Sequence, residues 1–231
     1  MIKVASYNMH RAIGTDRRRN PERILDVLHQ MDADVIALQE ADRRFGPRIS
    51  AIPPHLLELH SDYKAVPLDV HTDSMGWHGN AILVRKSAMI IRHDILHIPY
   101  LEPRGAVMAE VVMNDQTLRI FGMHLDLSGL WRRRQAAAVI ARAAGYDDAS
   151  PTVLMGDLNE WSAQGGCLRD FGHHFSFAHC GKSFHARRPV ARLDRIMHCG
   201  QLVVTDCGVH DSPSARKASD HLPIWAELER V

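Results

Sequence analysis

The stretch VLMGDLNE, residues 153–160, runs three large apolar residues into a glycine, then a carboxylate, a leucine and an amide. An apolar run of this length has the size of a buried strand. Side chains alternate across a strand, so positions i and i+2 project to the same side. Asp157 and Asn159 are therefore expected to point together at the strand's carboxyl end, where open α/β folds place their ligands. Asp, Asn and Gly are also ordinary turn residues. Taken alone, the stretch leaves a turn and a site both open, and the rest of the chain decides.

On either side of it the chain alternates between strand and helix patterns. IKVASYN (2–8) reads as a strand ending at Asn8, followed by a helix NPERILDVLHQM with Asn20 as N-cap and Pro21 at the first helical position. DVIALQE (34–40) is a second apolar run, ending in Glu40, and the stretch 41–78 is less regular, with a short helix expected from Pro53-Pro54. Strand follows strand from 79 to 123, with Asn114-Asp115-Gln116 as a hairpin loop lacking the favoured glycine. LWRRRQAAAVIARAAG (130–145) reads as a helix stopped by Gly145, its arginines a solvated face. Beyond Asn159 come an irregular segment, 161–190, and three more strand-like runs: RLDRIMH, QLVVTDCGVH and LPIWAELE. Adjacent strand runs favour antiparallel pairs, while strand-helix-strand at 2–39 and 117–156 favours α/β layers. Two mixed, mainly antiparallel sheets flanked by helices satisfy both. No linker, repeat or composition break divides residues 1–231, so one domain is expected.

Composition narrows the function. With 231 residues, 45% hydrophobic, the chain has material for a large core, and 28 Lys plus Arg against 27 Asp plus Glu exclude a strongly basic nucleic-acid binder. No apolar run reaches the roughly 20 residues of a membrane span, and MIKVASYNMH does not resemble a signal peptide. Cys167, Cys180, Cys199 and Cys207 lack C-x-x-C spacing and read as free thiols of a reducing compartment, so a cytoplasmic location is expected. There are sixteen histidines but no H-E-x-x-H, and GHH at 172–174 is a weak metal motif. A P-loop and G-x-S-x-G are also absent.

The polar residues that close the apolar runs carry the chemistry. Asn8, Glu40, His124, Asp157 and Asn159 sit at or just beyond strand ends; Asp194 lies in RLDRIM, and Asp220-His221 precedes the last strand. Strand interiors disfavour Asp and Asn, and buried ionised groups need partners or a metal. Carboxylate and amide oxygens suit hard Mg²⁺ or Mn²⁺ better than zinc. Metal-assisted attack of water on phosphorus needs a cation, a group that orients water and donors for the developing oxyanion. These residues supply such parts.

The motifs SYNMH, ALQE, GNAIL, GMHLD, GDLN, RLDRI and SDH stand in the order found in the endonuclease/exonuclease/phosphatase superfamily, and the chain resembles it from residue 4 to 228. That group includes exonuclease III-type nucleases, deoxyribonuclease I, neutral sphingomyelinases and inositol polyphosphate 5-phosphatases. The resemblance implies a four-layer α/β/β/α sandwich. It implies metal binding by Glu40, assisted by Asn8, with Asp220 near the metal. Asp157 and Asn159 would orient water and contact phosphate, His221 would face the scissile phosphate, Asp194 would orient His221, and His124 would touch a phosphate oxygen. A carboxylate partner fixes an imidazole tautomer and favours its charged form, which is an independent argument for the Asp194–His221 pair.

Arg104 in LEPRGAV is a candidate phosphate clamp, and equally a loop arginine. Asn80 could line the pocket, or Gly79-Asn80 could be a tight entry into a strand. The clusters Arg17–Arg19, Arg132–Arg134 and Arg187-Arg188 read as solvated faces. The expected partner is a phosphoester substrate: a small molecule, a lipid head group or nucleic acid. A small or lipid-linked phosphodiester is slightly favoured, and no obligate protein partner is evident. The competing readings are a DNA or RNA nuclease and a catalytically silent binding module with this fold.

Overall fold

Apolar alternation sorts the chain into two six-stranded sheets in the computed structural model, which describes residues 1–43, 48–68, 73–146 and 150–231. The first sheet runs in the order β11 (Leu202–Val209), β12 (Ile224–Arg230), β1 (Ile2–Asn8), β2 (Val35–Gln39), β4 (Ala81–Arg85), β3 (Tyr63–Ala65). The second runs β5 (Met89–Leu96), β6 (Gly105–Met113), β7 (Gln116–His124), β8 (Thr152–Asp157), β10 (Asp194–His198), β9 (Ser176–Phe177). Each sheet holds one parallel pair, β1/β2 and β7/β8, and antiparallel partners elsewhere. Each parallel pair is joined through a helix, because parallel neighbours need a crossover. These helices are α1 (Pro21–Met31) and α3 (Gly129–Ala144).

Three apolar layers separate four structural ones. Val4, Val35, Val107, Ile120, Val153, Met155 and Ile196 meet between the sheets. Tyr7, Ile36 and Leu38 turn the other way, onto Ile24 and Leu28 of α1, Leu57 of α2 (Pro54–His60) and Ala215 of α5 (Pro213–Ala218). Phe121, Met123 and Leu154 pack under α3 and α4 (Cys167–Gly172). Burying each large side chain contributes about 1.5–3 kcal/mol, so the three layers together hold the sheets face to face. Asn20 caps α1 as expected, its Oδ1 accepting from Arg23 N at 2.9 Å, and Gly145 N closes α3 on Ala141 O at 3.1 Å.

Several local expectations need correction. Met113 pairs with Gln116, so the β6–β7 turn is only Asn114-Asp115 and Gln116 belongs to the strand. Both turn residues have positive φ, 49° and 59°, a conformation Asn and Asp tolerate without the glycine. The segment 161–190 contains α4 and β9, while β3 and α5 gave no recognisable pattern because they span 3 and 6 residues. Arg132 is not solvated: it is buried against Glu160, Nη2 to Oε2 3.2 Å. Residues 44–47 and 69–72 of the less regular stretch lie outside the described residues. The four cysteines are free, and no helix among the described residues is long and apolar enough to cross a membrane.

Candidate active site

The parity of the strands assembles the site. Val153 and Met155 face the layer between the sheets, so Asp157 at the end of β8 faces it too. The same rule carries His124 from Leu118 and Ile120, Asn8 from Val4, and Asp194 from Ile196. Register then places His124 opposite Asp157 and Asp157 opposite Asp194, one row across three neighbouring strands. Gly156 makes the approach feasible: a Cβ there would lie 1.9 Å from Met123 O.

Asp157 answers the ambiguity of its own stretch by dividing its oxygens. Oδ1 accepts the Asn159 N–H at 2.9 Å and closes a turn, with Asn159 at φ 50°. Asn159 is thus past the strand, and its side-chain amide donates to Leu125 O at 2.9 Å. Oδ2 faces the site. It accepts from Asn8 Nδ2 across the two sheets at 3.0 Å, and it lies 3.3 Å from His124 Nε2 and 3.7 Å from His221 Nε2. His221 Nδ1 donates to Asp194 Oδ2 at 2.9 Å, and the Ser183 hydroxyl donates to the same oxygen. Ser219 Oγ ties Asn8 O (2.7 Å) to the His221 N–H (3.2 Å), which sets β1 against the His221 segment.

Charge is separated inside this cluster. Burial opposes ionisation of Asp157, yet the adjacent His221 and His124 hold its carboxyl far below the usual range. Burial likewise works to lower the His221 pKa, but Asp194 and Asp157 push it up to about 10. Both shifts favour the charged forms, a carboxylate facing an imidazolium.

Glu40 stands one residue past β2 at φ 53°, a quarter exposed, with Arg11 Nε 2.9 Å from Oε2. Asn8 Oδ1 accepts the His10 N–H at 3.1 Å, and His10 Nδ1 lies 3.7 Å from Asp220 Oδ1. The segment 8–11 thus touches Asp157, Glu40 and Asp220. Among the described residues, Asp157, Asp194 and His221 are the group whose donor atoms fall within 4.8 Å of one another. Within it His221 Nδ1 is engaged by Asp194 Oδ2 and Nε2 faces Asp157 Oδ2, so the trio has the geometry of a hydrogen-bonded relay. Beside the His10 imidazole and the Arg11 guanidinium, segment 8–11 gathers the carboxylate and amide oxygens of Asn8, Glu40 and Asp220, with Glu40 open to a cleft, and these oxygens suit a hard divalent cation.

The cleft, about 90 Å³, is lined by Arg11, Glu40, Arg43, Arg48, Arg104 and His124 among others. Arg104 stands in it: Nη1 is 2.9 Å from His124 Nδ1, and Nη2 is 3.2 Å from Glu102 Oε2. Asn80 is not brought into this group. It is fully buried in a tight turn, its Nδ2 on Trp77 O at 3.2 Å, and His78 and Gly79 line the cleft in its place.

Three participants escaped the sequence reading. Ser183 lies in an irregular stretch with no periodicity to mark it. Arg11 carried no motif. Asp126 holds the Arg104 loop by accepting Leu101 N–H (3.1 Å) and Glu102 N–H (3.0 Å), and it stood in view in GMHLD.

Residues 5–221 match the model of the Endonuclease/Exonuclease/phosphatase family. Comparison with curated proteins gives no match. Solved structures share the fold at low identity. Danio rerio TDP2 complexed with a single strand DNA product is 18% identical with TM-score 0.76, over 99% of this chain and 98% of that one. The mannosyl-6-phosphatase of Bacteroides thetaiotaomicron is 19% identical with TM-score 0.76, over 99% and 100%. The human Nocturnin catalytic domain with bound sulfate is 18% identical with TM-score 0.75, over 100% and 94%.

Proposed function

The chain belongs to the endonuclease/exonuclease/phosphatase family, and from that premise we propose that it is a Mg²⁺- or Mn²⁺-dependent phosphoesterase hydrolysing a phosphodiester by direct attack of water. The observation that carries this reading is the row of His124, Asp157 and Asp194 across three strands, with His221 held on Asp194 and facing Asp157 at 3.7 Å. Asp157 accepts a hydrogen bond from the attacking water and directs its oxygen at phosphorus. His221 keeps Nδ1–H on Asp194 and donates from Nε2 to a phosphate oxygen as negative charge develops. The bond from phosphorus to the leaving oxygen breaks as the new P–O bond forms, and the proton that the water gives up passes through the Asp157–His221 pair to the leaving oxygen. Asn8 and His124 hold Asp157 in place, Asn159 fixes the turn behind it, and Arg104 grips a non-bridging oxygen. Glu40, with Asn8 and Asp220, would hold the cation, whose contribution is to neutralise phosphate charge.

For substrate we favour a small or lipid-linked phosphodiester. Tyr100, Leu101, Leu127 and Trp161, on loops close in sequence to Arg104, His124 and Asn159, and Leu130 in the first turn of α3 are between 54% and 65% exposed. Exposed apolar side chains on the segments that carry the site suit a phosphate at a lipid surface. The second reading is a nuclease on single-stranded DNA or RNA, favoured by exposed Trp161 as a base-stacking platform. Specificity constants on phospholipid head-group diesters in vesicles, inositol phosphates, single-stranded RNA, plasmid DNA and abasic duplex separate these, with and without EDTA and at two salt concentrations. We expect EDTA-sensitive turnover highest on the vesicle substrate. Efficient duplex cutting that falls steeply with salt overturns the substrate choice. Absence of metal-dependent turnover on the whole panel overturns the enzyme.

A further inference from the structure

Arg195 is a buried arginine that forms no ion pair among the described residues. It follows Asp194 in β10, and alternation turns it to the opposite face of the sheet, the side on which Met197 packs against α3 and α4. The residue is 9% exposed. Its guanidinium offers five N–H donors, yet its one hydrogen bond runs from Nη1 to Asp194 O at 3.1 Å. Arginine is almost never this buried unless paired.

Two carboxylates, Glu160 and Asp194, act on it through charge without pairing with it, and the Asp194 Oδ1 has no hydrogen-bond partner. Glu160 accepts from Arg132 Nη2 (3.2 Å) and Ser162 N (3.0 Å). Asp194 accepts from His221 and Ser183. Desolvation pushes the Arg195 pKa down, Asp194 partly opposes this, and the charge of Arg192 adds to the lowering. Both arginines line a cleft of about 330 Å³ with Asp194, Gln164, His179, Leu168 and Phe177. The lining combines two guanidinium groups with one acidic residue and an apolar surface.

We propose that this cleft is a second anion site, which borders the catalytic centre through Asp194. Arg195 and Arg192 clamp a phosphate group there, carried on a small organic molecule whose body lies against Leu168 and Phe177. An anion would give Arg195 a directly paired counter-charge and relieve its repulsion with Arg192.

The test is calorimetric titration of the full chain, in EDTA, with inorganic phosphate and with phenyl phosphate. Wild type should bind two equivalents, one in each cleft. Arg195→Gln and Arg192→Ala should each weaken one equivalent by about tenfold or more, the loss of one charge-assisted pair. Arg104→Ala should weaken the other. Arg192 is exposed, so its variant keeps the test available if Arg195→Gln does not fold. Tighter binding of phenyl phosphate than of inorganic phosphate at the Arg195 site supports an organic body. Equal affinity overturns that part and leaves free phosphate as ligand. A single equivalent in wild type, or unchanged isotherms in both variants, overturns the site and leaves Arg195 hydrated by water alone.

Discussion

Adding one methyl group at Gly156 should disable the site without touching any functional side chain. In Gly156→Ala the new Cβ would lie 1.9 Å from Met123 O and 2.8 Å from Met123 C, both backbone atoms of the neighbouring parallel strand. Real Cβ contacts stay above 3.0 Å, so β7 and β8 must separate by about 1 Å at this point. The next pair in register is His124 opposite Asp157, so the 3.3 Å contact between them opens by a similar amount. A 1 Å misplacement costs on the order of 100-fold in rate, and overpacking costs about 1–3 kcal/mol of stability. The assay is kcat on bis(p-nitrophenyl) phosphate with saturating Mn²⁺, beside the melting temperature. Gly200→Ala is the control, because a Cβ there meets nothing within 4 Å. A Gly156→Ala enzyme within threefold of wild type in kcat, with an unchanged Tm, would refute the close-approach argument.

Glu40→Gln should raise the Mn²⁺ concentration at half-maximal activity by about tenfold or more, through loss of a charged ligand; a midpoint that does not move removes Glu40 from the metal site. His221 has a folded-state pKa raised from 6.5 to about 10. Its stabilisation is therefore fully present below pH 6.5 and lost as pH rises through about 10. Thermal melts should show wild type losing more stability than His221→Gln between those limits, and parallel curves would contradict the charged pair. Asp126 is the opposite case: burial raises its pKa, but the N–H groups of Ser128, Glu102 and Leu101 outweigh burial and lower it. That stability is present above the ordinary carboxylate pKa and lost as pH falls. Asp126→Asn should cost about 1–3 kcal/mol at pH 7 and raise KM through the loosened Arg104 loop. Its melting deficit should narrow on acidification toward pH 3, and a constant deficit would count against the hydrogen-bonded carboxylate.

Residues 153–160 show what each level of description decides. That β8 is a strand, that its odd-numbered residues share a face and that a glycine precedes the carboxylate all follow from eight letters, because alternation and chain flexibility are local properties. The ordered motifs extended this to the fold, and with it to Asn8, Glu40, His124, Asp194 and His221 as site residues. What Asp157 does with each oxygen was not legible there. Its Oδ1 serves the turn and its Oδ2 meets Asn8, which is 149 residues away in the chain and on the other sheet. The motif proposed Asp194 as partner of His221, but Ser183, the second donor to that carboxylate, sits in a segment without periodicity. Arg132 and Arg195 show the same divide. As letters they match the exposed Arg133 and Arg192, yet packing buries one against Glu160 and leaves the other facing a cleft. Periodicity reports which face a residue occupies relative to its neighbours in sequence. Which charges meet, and which stay unpaired, depends on the faces of two sheets and five helices coming together, and only the tertiary structure supplies those distances.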